Sequence, residues 1–257
     1  MGAMNQGVFW PLEFCKHLAD AGFLIIRYDH RDTGLSSIVD FERHPYALSE
    51  LTDDAVAILD AYHIESAGIV GLSMGGYIAQ LLAVEHAKRV NALVLISSTA
   101  DHRPYMAATA GIDAGDATLP QPTESFLSFV ESAGKHPPAC PDEDAALKLE
   151  GWRVTHGGSS AFPEEEMRDL IREAAERTSD ASAPFHHALA VAASPPRTEI
   201  LHRISAPTLV LHGFDDPCLP LPHGQALAAG IPNARLMTLE MVTCCRRPCR
   251  RRLQTLS

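Results

Sequence analysis

The chain reads as an α/β protein built on a doubly wound, mostly parallel sheet with a helical insertion. Three observations predict this. Predominantly apolar runs over residues 22–28, 92–97 and 207–212 have the length and composition of strands buried on both faces of a parallel sheet. Stretches of helical period separate the early runs, with short connections, in the order strand, helix, strand, helix, strand. From about Thr99 to Arg197 the apolar runs stop, and a region rich in Ala, Pro, Gly and acids carries helical stretches instead. A helical excursion of that length between two sheet strands is expected to form a lid over a pocket.

In chain order, residues 1–7 read as a loop, and Trp10-Pro11 opens a short helix to about Ala19. Residues 22–28 are expected to form a buried strand that runs into a polar loop, residues 29–36. Ser49 is expected to start a helix, with Glu50, Asp53 and Asp54 near its N-terminus and Leu51, Ala55, Ile58 and Leu59 on one face. Ile69-Val70 belongs to the next strand. The helix after it carries Ile78, Leu81, Leu82 and Val84 at helical spacing and ends near Arg89. Residues 92–97 are the third strand. Within the excursion, helices are expected around residues 126–132, 142–153 and 163–177. The sheet resumes at residues 207–212, followed by a helix over 223–229 and a strand over 234–239. Residues 1–98 are thus the first part of a core, 99–200 a helical lid, 201–240 the second part of the core, and 241–257 an atypical tail.

The motif that organises this reading is Gly71-Leu72-Ser73-Met74-Gly75, placed between a strand and a helix. A serine at the apex of so sharp a turn is forced into a strained backbone conformation that presents Oγ to a pocket. The flanking glycines are needed because side chains there would collide with the neighbouring strand or helix. The helix N-terminus offers free N–H groups and a positive dipole end to a developing oxyanion. The competing reading is a glycine-rich turn that merely carries a serine. A serine hydroxyl is a poor nucleophile at neutral pH and needs a base, an acid that orients the base, and oxyanion donors. The acid should follow a later strand, and Asp216 fits, four residues past the run 207–212. Asp215 is the fallback, and a solvated turn acid is the competing reading.

Composition narrows the function classes. The net charge of −11 includes five arginines crowded into the tail, Arg246, Arg247, Arg250, Arg251 and Arg252, so the body is more acidic still. Such a body repels a phosphate backbone, and no nucleic-acid partner is expected. No apolar run is long enough to span a bilayer and no signal-like segment opens the chain, so no membrane association and a cytoplasmic location are expected. Cys15, Cys140 and Cys218 are scattered without framework spacing, which agrees with a reducing compartment. Cys244, Cys245 and Cys249 give at most three irregularly spaced thiolates with no nearby histidine, a poor zinc site. No metal or cofactor is expected.

With His30-Arg31-Asp32-Thr33-Gly34 and Ser36, Val70–Gly75, Pro207-Thr208-Leu209-Val210, Asp216-Pro217 and Pro222-His223-Gly224, the chain resembles the α/β-hydrolases, in particular serine esterases of the aclacinomycin methylesterase type. The likeness covers about residues 1–240 and is loosest in the lid. It implies an α/β-hydrolase-like sheet, a small-molecule ester substrate, Ser73 as nucleophile and Asp216 as triad acid. It also implies backbone N–H oxyanion donors at Met74 and Ala3, with the 29–36 loop bracing the oxyanion loop. Two departures follow from the same likeness. The family carries strands before the oxyanion loop that this chain lacks, including a central one, so a sheet short at its start or damaged is expected. The family's catalytic histidine, in a Gly-His pair after the last strand, is also missing: none of the 13 histidines lies beyond His223. The fold is therefore expected to be incomplete at both ends.

These features lead to an ester hydrolase impaired by the missing histidine. The alternatives are a hydrolase-fold protein that only binds ligand, or a truncated or frameshifted gene product, and further off a cofactor-free haloperoxidase-like enzyme. With GC-rich codons, a shifted reading frame across residues 241–247 reads as a Gly-His pair, which leads to a prediction. Sequencing the gene is expected to show GTC at Val242, and any other codon there rules the frameshift out.

Overall fold

The computed structural model describes residues 1–157 and 161–239; the Cys/Arg tail, 241–257, lies outside the described residues. In order, the elements are α1 (Leu12–Asp20), α2 (Leu48–Ala61), β1 (Ala67–Leu72), α3 (Met74–Glu85), β2 (Val90–Ile96), α4 (Arg103–Ala110), α5 (Glu124–Lys135), α6 (Pro141–His156), α7 (Glu164–Glu176), α8 (His186–Ala192), β3 (Thr208–Gly213), α9 (Pro222–Gly230) and β4 (Ala234–Leu239). The four strands form one sheet in the order β1-β2-β3-β4, every pair parallel. Successive parallel strands need crossovers, and α3, the five helices of the excursion, and α9 supply them.

The core lies where β2 and β3 are covered on both faces. Leu93, Leu95 and Val210 from these strands pack with Leu82 of α3, Leu227 of α9, and Leu201 and Ile204 of the chain entering β3, all essentially removed from water. Each such side chain contributes roughly 1.5–3 kcal/mol by leaving water. This is the rigid frame that carries the turn at Ser73.

Residues 22–28 depart from expectation. Their apolar run predicts a buried strand, yet the structure has no strand there, and Phe23 and Leu24 are 64% and 75% exposed. A strand exists through ladder hydrogen bonds to a neighbour, and apolar character alone does not supply one. Between this segment and β1 lies a cavity of about 160 Å³, lined by Met1, Leu24, Ile26, Tyr28, Ala67 and Ile69 among others. β1 is consequently an edge strand within the described residues, with Gly68 and Val70 exposed, although its sequence is that of an inner one.

The other elements need smaller adjustments. α2 begins at Leu48, with Ser49 inside its first turn; the Glu50 carboxylate accepts the Ala47 N–H at 2.8 Å and satisfies the helix end from within. The excursion contains the three expected helices, α5, α6 and α7, and two more, α4 and α8. α6 and α7 pack through Leu149, Met167 and Ile171, and Trp152 of α6 stacks on Phe9 at 5.2 Å, which anchors the excursion to the N-terminal loop.

Two glycines of β1 give a paired test. A Cβ on Gly71 would run into the Gly75 carbonyl, which is backbone and cannot yield, whereas one on Gly68 would meet nothing within 4 Å. Gly71→Ala is expected to cost roughly 1–3 kcal/mol in urea unfolding, and Gly68→Ala to stay within about 0.5 kcal/mol of wild type. Equal effects would contradict the close approach at Gly71.

Candidate active site

Ser73 sits between β1 and α3 with φ 50° and ψ −117°. A non-glycine residue held at positive φ costs on the order of 1–3 kcal/mol. The surrounding backbone enforces it. The Ser73 N–H donates to Ile96 O of β2 at 2.9 Å, and Ser73 O accepts from the Gly76 N–H at 2.8 Å and the Ser98 hydroxyl at 2.9 Å. Gly75 lets the N-terminal loop approach: a Cβ there would lie 2.6 Å from Met1 O.

That loop brings Gly2 against the serine. A Cβ on Gly2 would be 3.3 Å from Ser73 Cβ and 3.8 Å from Oγ, so the backbone at Gly2 borders the serine. Among the described residues no acceptor takes the Ala3 N–H. Met74 is the first residue of α3, where the helix itself provides no partner for an N–H. The backbone N–H groups of Ala3, next to Gly2, and of Met74, next to Ser73, thus have no acceptor among the described residues. The 29–36 loop braces this arrangement. His30 donates from Nε2 to Met1 O at 3.3 Å, and Asp29 Oδ1 accepts the Gly7 N–H at 2.7 Å. Asp29 also accepts from Arg177, just past α7, and Asp32 accepts from the Val39 N–H, the Tyr46 hydroxyl and His186.

Asp216 lies in the loop after β3 and is 3% exposed, while Asp215 is exposed. The Asp216 carboxylate accepts the N–H groups of Cys218 (3.0 Å) and Leu219 (2.9 Å) and is bonded by the Ser97 side chain. Burial raises its pKa, an effect opposed by His212 and by these hydrogen bonds. Ser73, Ser97 and Asp216 follow the carboxyl ends of β1, β2 and β3, the edge at which open α/β sheets bind ligands.

Three residues that the sequence reading did not single out join the site. Tyr77, one helical turn past Ser73, sets its hydroxyl beside the serine and lies near Arg197, Cys218 and Asp216; burial raises its pKa, so it remains a phenol. Its i+4 spacing from Ser73 was the available signal. Arg197 is 1% exposed and holds its guanidinium 4.3 Å over the Tyr77 ring. Burial lowers its pKa to about 10. The Arg197 N–H donates to Ala100 O at 2.7 Å and Nη2 to Thr99 O at 3.2 Å, which pins the end of the excursion to the loop after β2. Cys218, a free thiol whose pKa burial pushes well up, shares the Asp216 turn.

All 13 histidines lie within the described residues, and none hydrogen-bonds Ser73. His30 serves Met1; His187 bonds Met4 and Arg31; His212 donates to Leu219 O at 2.7 Å. His223 is held between Thr99 and Pro120. His102 packs 6.2 Å from the Tyr77 ring, and burial, helped by Arg197, lowers its pKa to about 4. Among the described residues no group of three or more His, Cys, Asp or Glu side chains could hold a metal ion, and no helix is long and apolar enough to cross a membrane.

Known proteins share this organisation. The family model of the alpha/beta hydrolase fold matches residues 2–242. Rhodomycin D methylesterase of Streptomyces sp. (strain C5) is 36% identical over 234 residues, covering 90% of this chain and 78% of that protein. Its namesake in Streptomyces peucetius is 34% identical over 234 residues, with the same coverage of 90% and 78%. Among solved structures, a hydrolase from Pseudomonas aeruginosa PA01 superposes with a TM-score of 0.68 at 25% identity, over 95% of this chain and 80% of that one.

The raised pKa of Asp216 has a consequence for stability. The folded state holds the proton more tightly than an unfolded chain of ordinary pKa 3.8. That stabilisation is complete below about pH 3.8 and is lost as the pH rises through the folded-state value, above which a carboxylate stays buried. Asp216→Asn keeps the acceptor for Cys218 and Leu219 and removes the charge. Its urea midpoint is expected to exceed wild type at pH 8, with the difference shrinking toward pH 4. A lower midpoint at pH 8 would contradict this assignment.

Proposed function

The chain belongs to the alpha/beta hydrolase fold family, and on that premise we propose that it is a carboxylic ester hydrolase with Ser73 as its nucleophile. The observation that carries the reading is the strained Ser73 turn with unclaimed backbone donors at Ala3 and Met74 beside it. Ser73 Oγ attacks the ester carbonyl, and the carbonyl oxygen takes up negative charge between the two N–H groups, which stabilise it more than they stabilise the ground-state carbonyl. Collapse expels the alcohol and leaves an acyl-serine. Water then attacks the same carbonyl, releasing the acid and restoring the hydroxyl. Asp216 is the acid that would orient a base and balance its positive charge.

The base is the missing part. Without one, the Ser73 hydroxyl lacks the strong base of a serine triad, whose loss lowers kcat by roughly 10⁶-fold. We therefore infer slow turnover by this chain. The relatives named as rhodomycin D methylesterases support a methyl ester of a bulky molecule as the substrate class, with methanol as the leaving alcohol. A second reading, a hydrolase-fold protein that binds an ester without cleaving it, is favoured by the same lack of a histidine on Ser73.

The readings separate in a p-nitrophenyl acetate assay. The esterase reading expects slow release of p-nitrophenol, stimulated at least about tenfold over the solution reaction by added imidazole standing in for the base, and abolished by Ser73→Ala. Release that is indifferent to imidazole and unchanged in Ser73→Ala would leave the binding reading.

A further inference from the structure

The oxyanion loop is fixed through its peptide planes, and one fixing contact comes from inside the helical excursion. Asn5 N–H donates to Gly2 O at 3.3 Å, and Asn5 Nδ2 donates to Ala3 O at 2.9 Å. The carbonyl ends of the Gly2–Ala3 and Ala3–Met4 peptides are therefore tied to the same residue. The opposite end of the Ala3–Met4 peptide, the Met4 N–H, donates to Nδ1 of His187 at 3.0 Å. Met4 itself stands at φ 63°, a left-handed conformation that a methionine holds only under constraint.

His187 is suited to supply that constraint. It lies on α8, is 0% exposed, and donates from Nε2 to Arg31 O at 2.8 Å while accepting Met4 N–H at Nδ1. One tautomer satisfies both contacts, so the ring cannot flip without losing both. Its ring meets His30 edge-on at 5.9 Å, and His30 in turn donates to Met1 O. A chain of contacts thus runs from α8, through the 29–36 loop, to both ends of residues 1–4.

We propose that His187 is a positioning residue for the oxyanion hole: by clamping the Met4 N–H it sets the aim of the Ala3 N–H and couples that donor to the seating of α8. This rests on the esterase reading of Ser73. It gives the lid region a part in the reactivity of the serine that needs no contact with substrate. Protonation of His187 would set a second N–H against the Met4 N–H and undo the clamp. Burial lowers its pKa and opposes this, as do the neighbouring His186 and the Met1 amine, while the Arg31 carbonyl bond and the Asp32 carboxylate favour the proton.

Two variants and two readouts test it. His187→Gln keeps an acceptor and a donor on one planar group, and His187→Phe keeps volume without either. Amide hydrogen exchange at Met4 reads the clamp, and the rate of Ser73 modification by a fluorophosphonate, per folded molecule, reads the oxyanion hole. His187→Phe is expected to lose Met4 protection and to slow labelling about 10- to 100-fold, less than the ~10²- to 10³-fold typical of deleting a donor outright. His187→Gln is expected to restore both to within about threefold. Met4 protection and labelling unchanged in His187→Phe would overturn the proposal, as would His187→Gln as slow as His187→Phe. Should His187→Phe not fold, His187→Gln with wild-type values supports the clamp, and a folded His187→Gln lacking protection at Met4 overturns it. A wild-type chain that does not label at all overturns the esterase reading, and Met4 exchange then still decides whether the clamp exists.

Discussion

Everything in this molecule that bears on chemistry depends on one constrained turn, the positive-φ backbone at Ser73. Its strain is sustained by neighbours that were folded for other reasons. The turn is tied to the end of β2 through Ile96 O and to the loop after β2 through Ser98. Those strand ends are held in turn by a core of Leu93, Leu95 and Val210 buried under α3 and α9. A parallel sheet suits this purpose because all its carboxyl ends lie along one edge, so Ser73, Ser97 and Asp216 all fall on that edge, with Ser97 bonded to Asp216. The N-terminal loop is laid over the turn, a close approach that the glycines at 2 and 75 permit.

The support around this turn is uneven. On the side of β2 and β3 it is dense: Asp216 is held by its own turn and by Ser97, and Arg197 clamps Tyr77 from behind. On the side of β1, the edge strand among the described residues, it is open, with a cavity between β1 and residues 22–28. Met1 lies at the border of that cavity and its amine is buried, with a pKa lowered to about 5. The N-terminal loop therefore relies on lateral ties, from residues 29–36 and from α8, more than on the sheet.

Much of this was legible in the sequence, and what was not follows a physical pattern. β4 was placed to the residue, and Ser73 was placed at the strand-to-helix turn, because both depend on short-range pattern and turn chemistry. Residues 22–28 failed as a strand because being a strand is a property of a pair, and composition describes one member only. α4 and α8 were missed because eight and seven residues rich in Ala, His and Pro carry too little period to read. Asp216 was separable from Asp215 by motif, and the structure adds the reason that one is buried and the other exposed. Arg197 and His187 matter through contacts across as many as 183 residues of chain, as between His187 and Met4, and nothing local marks them; Tyr77 was marked only by its i+4 spacing from Ser73.

The most direct test of the central claim, that Ser73 is a nucleophile in a working oxyanion cradle, is mass spectrometry of the chain after brief exposure to p-nitrophenyl acetate. With no histidine on Ser73, the acyl-enzyme should break down slowly enough to be caught. The account predicts one acetyl group per molecule, on the peptide that contains Ser73, and its loss in Ser73→Ala. An acetyl group on another residue, or none at all, would contradict it.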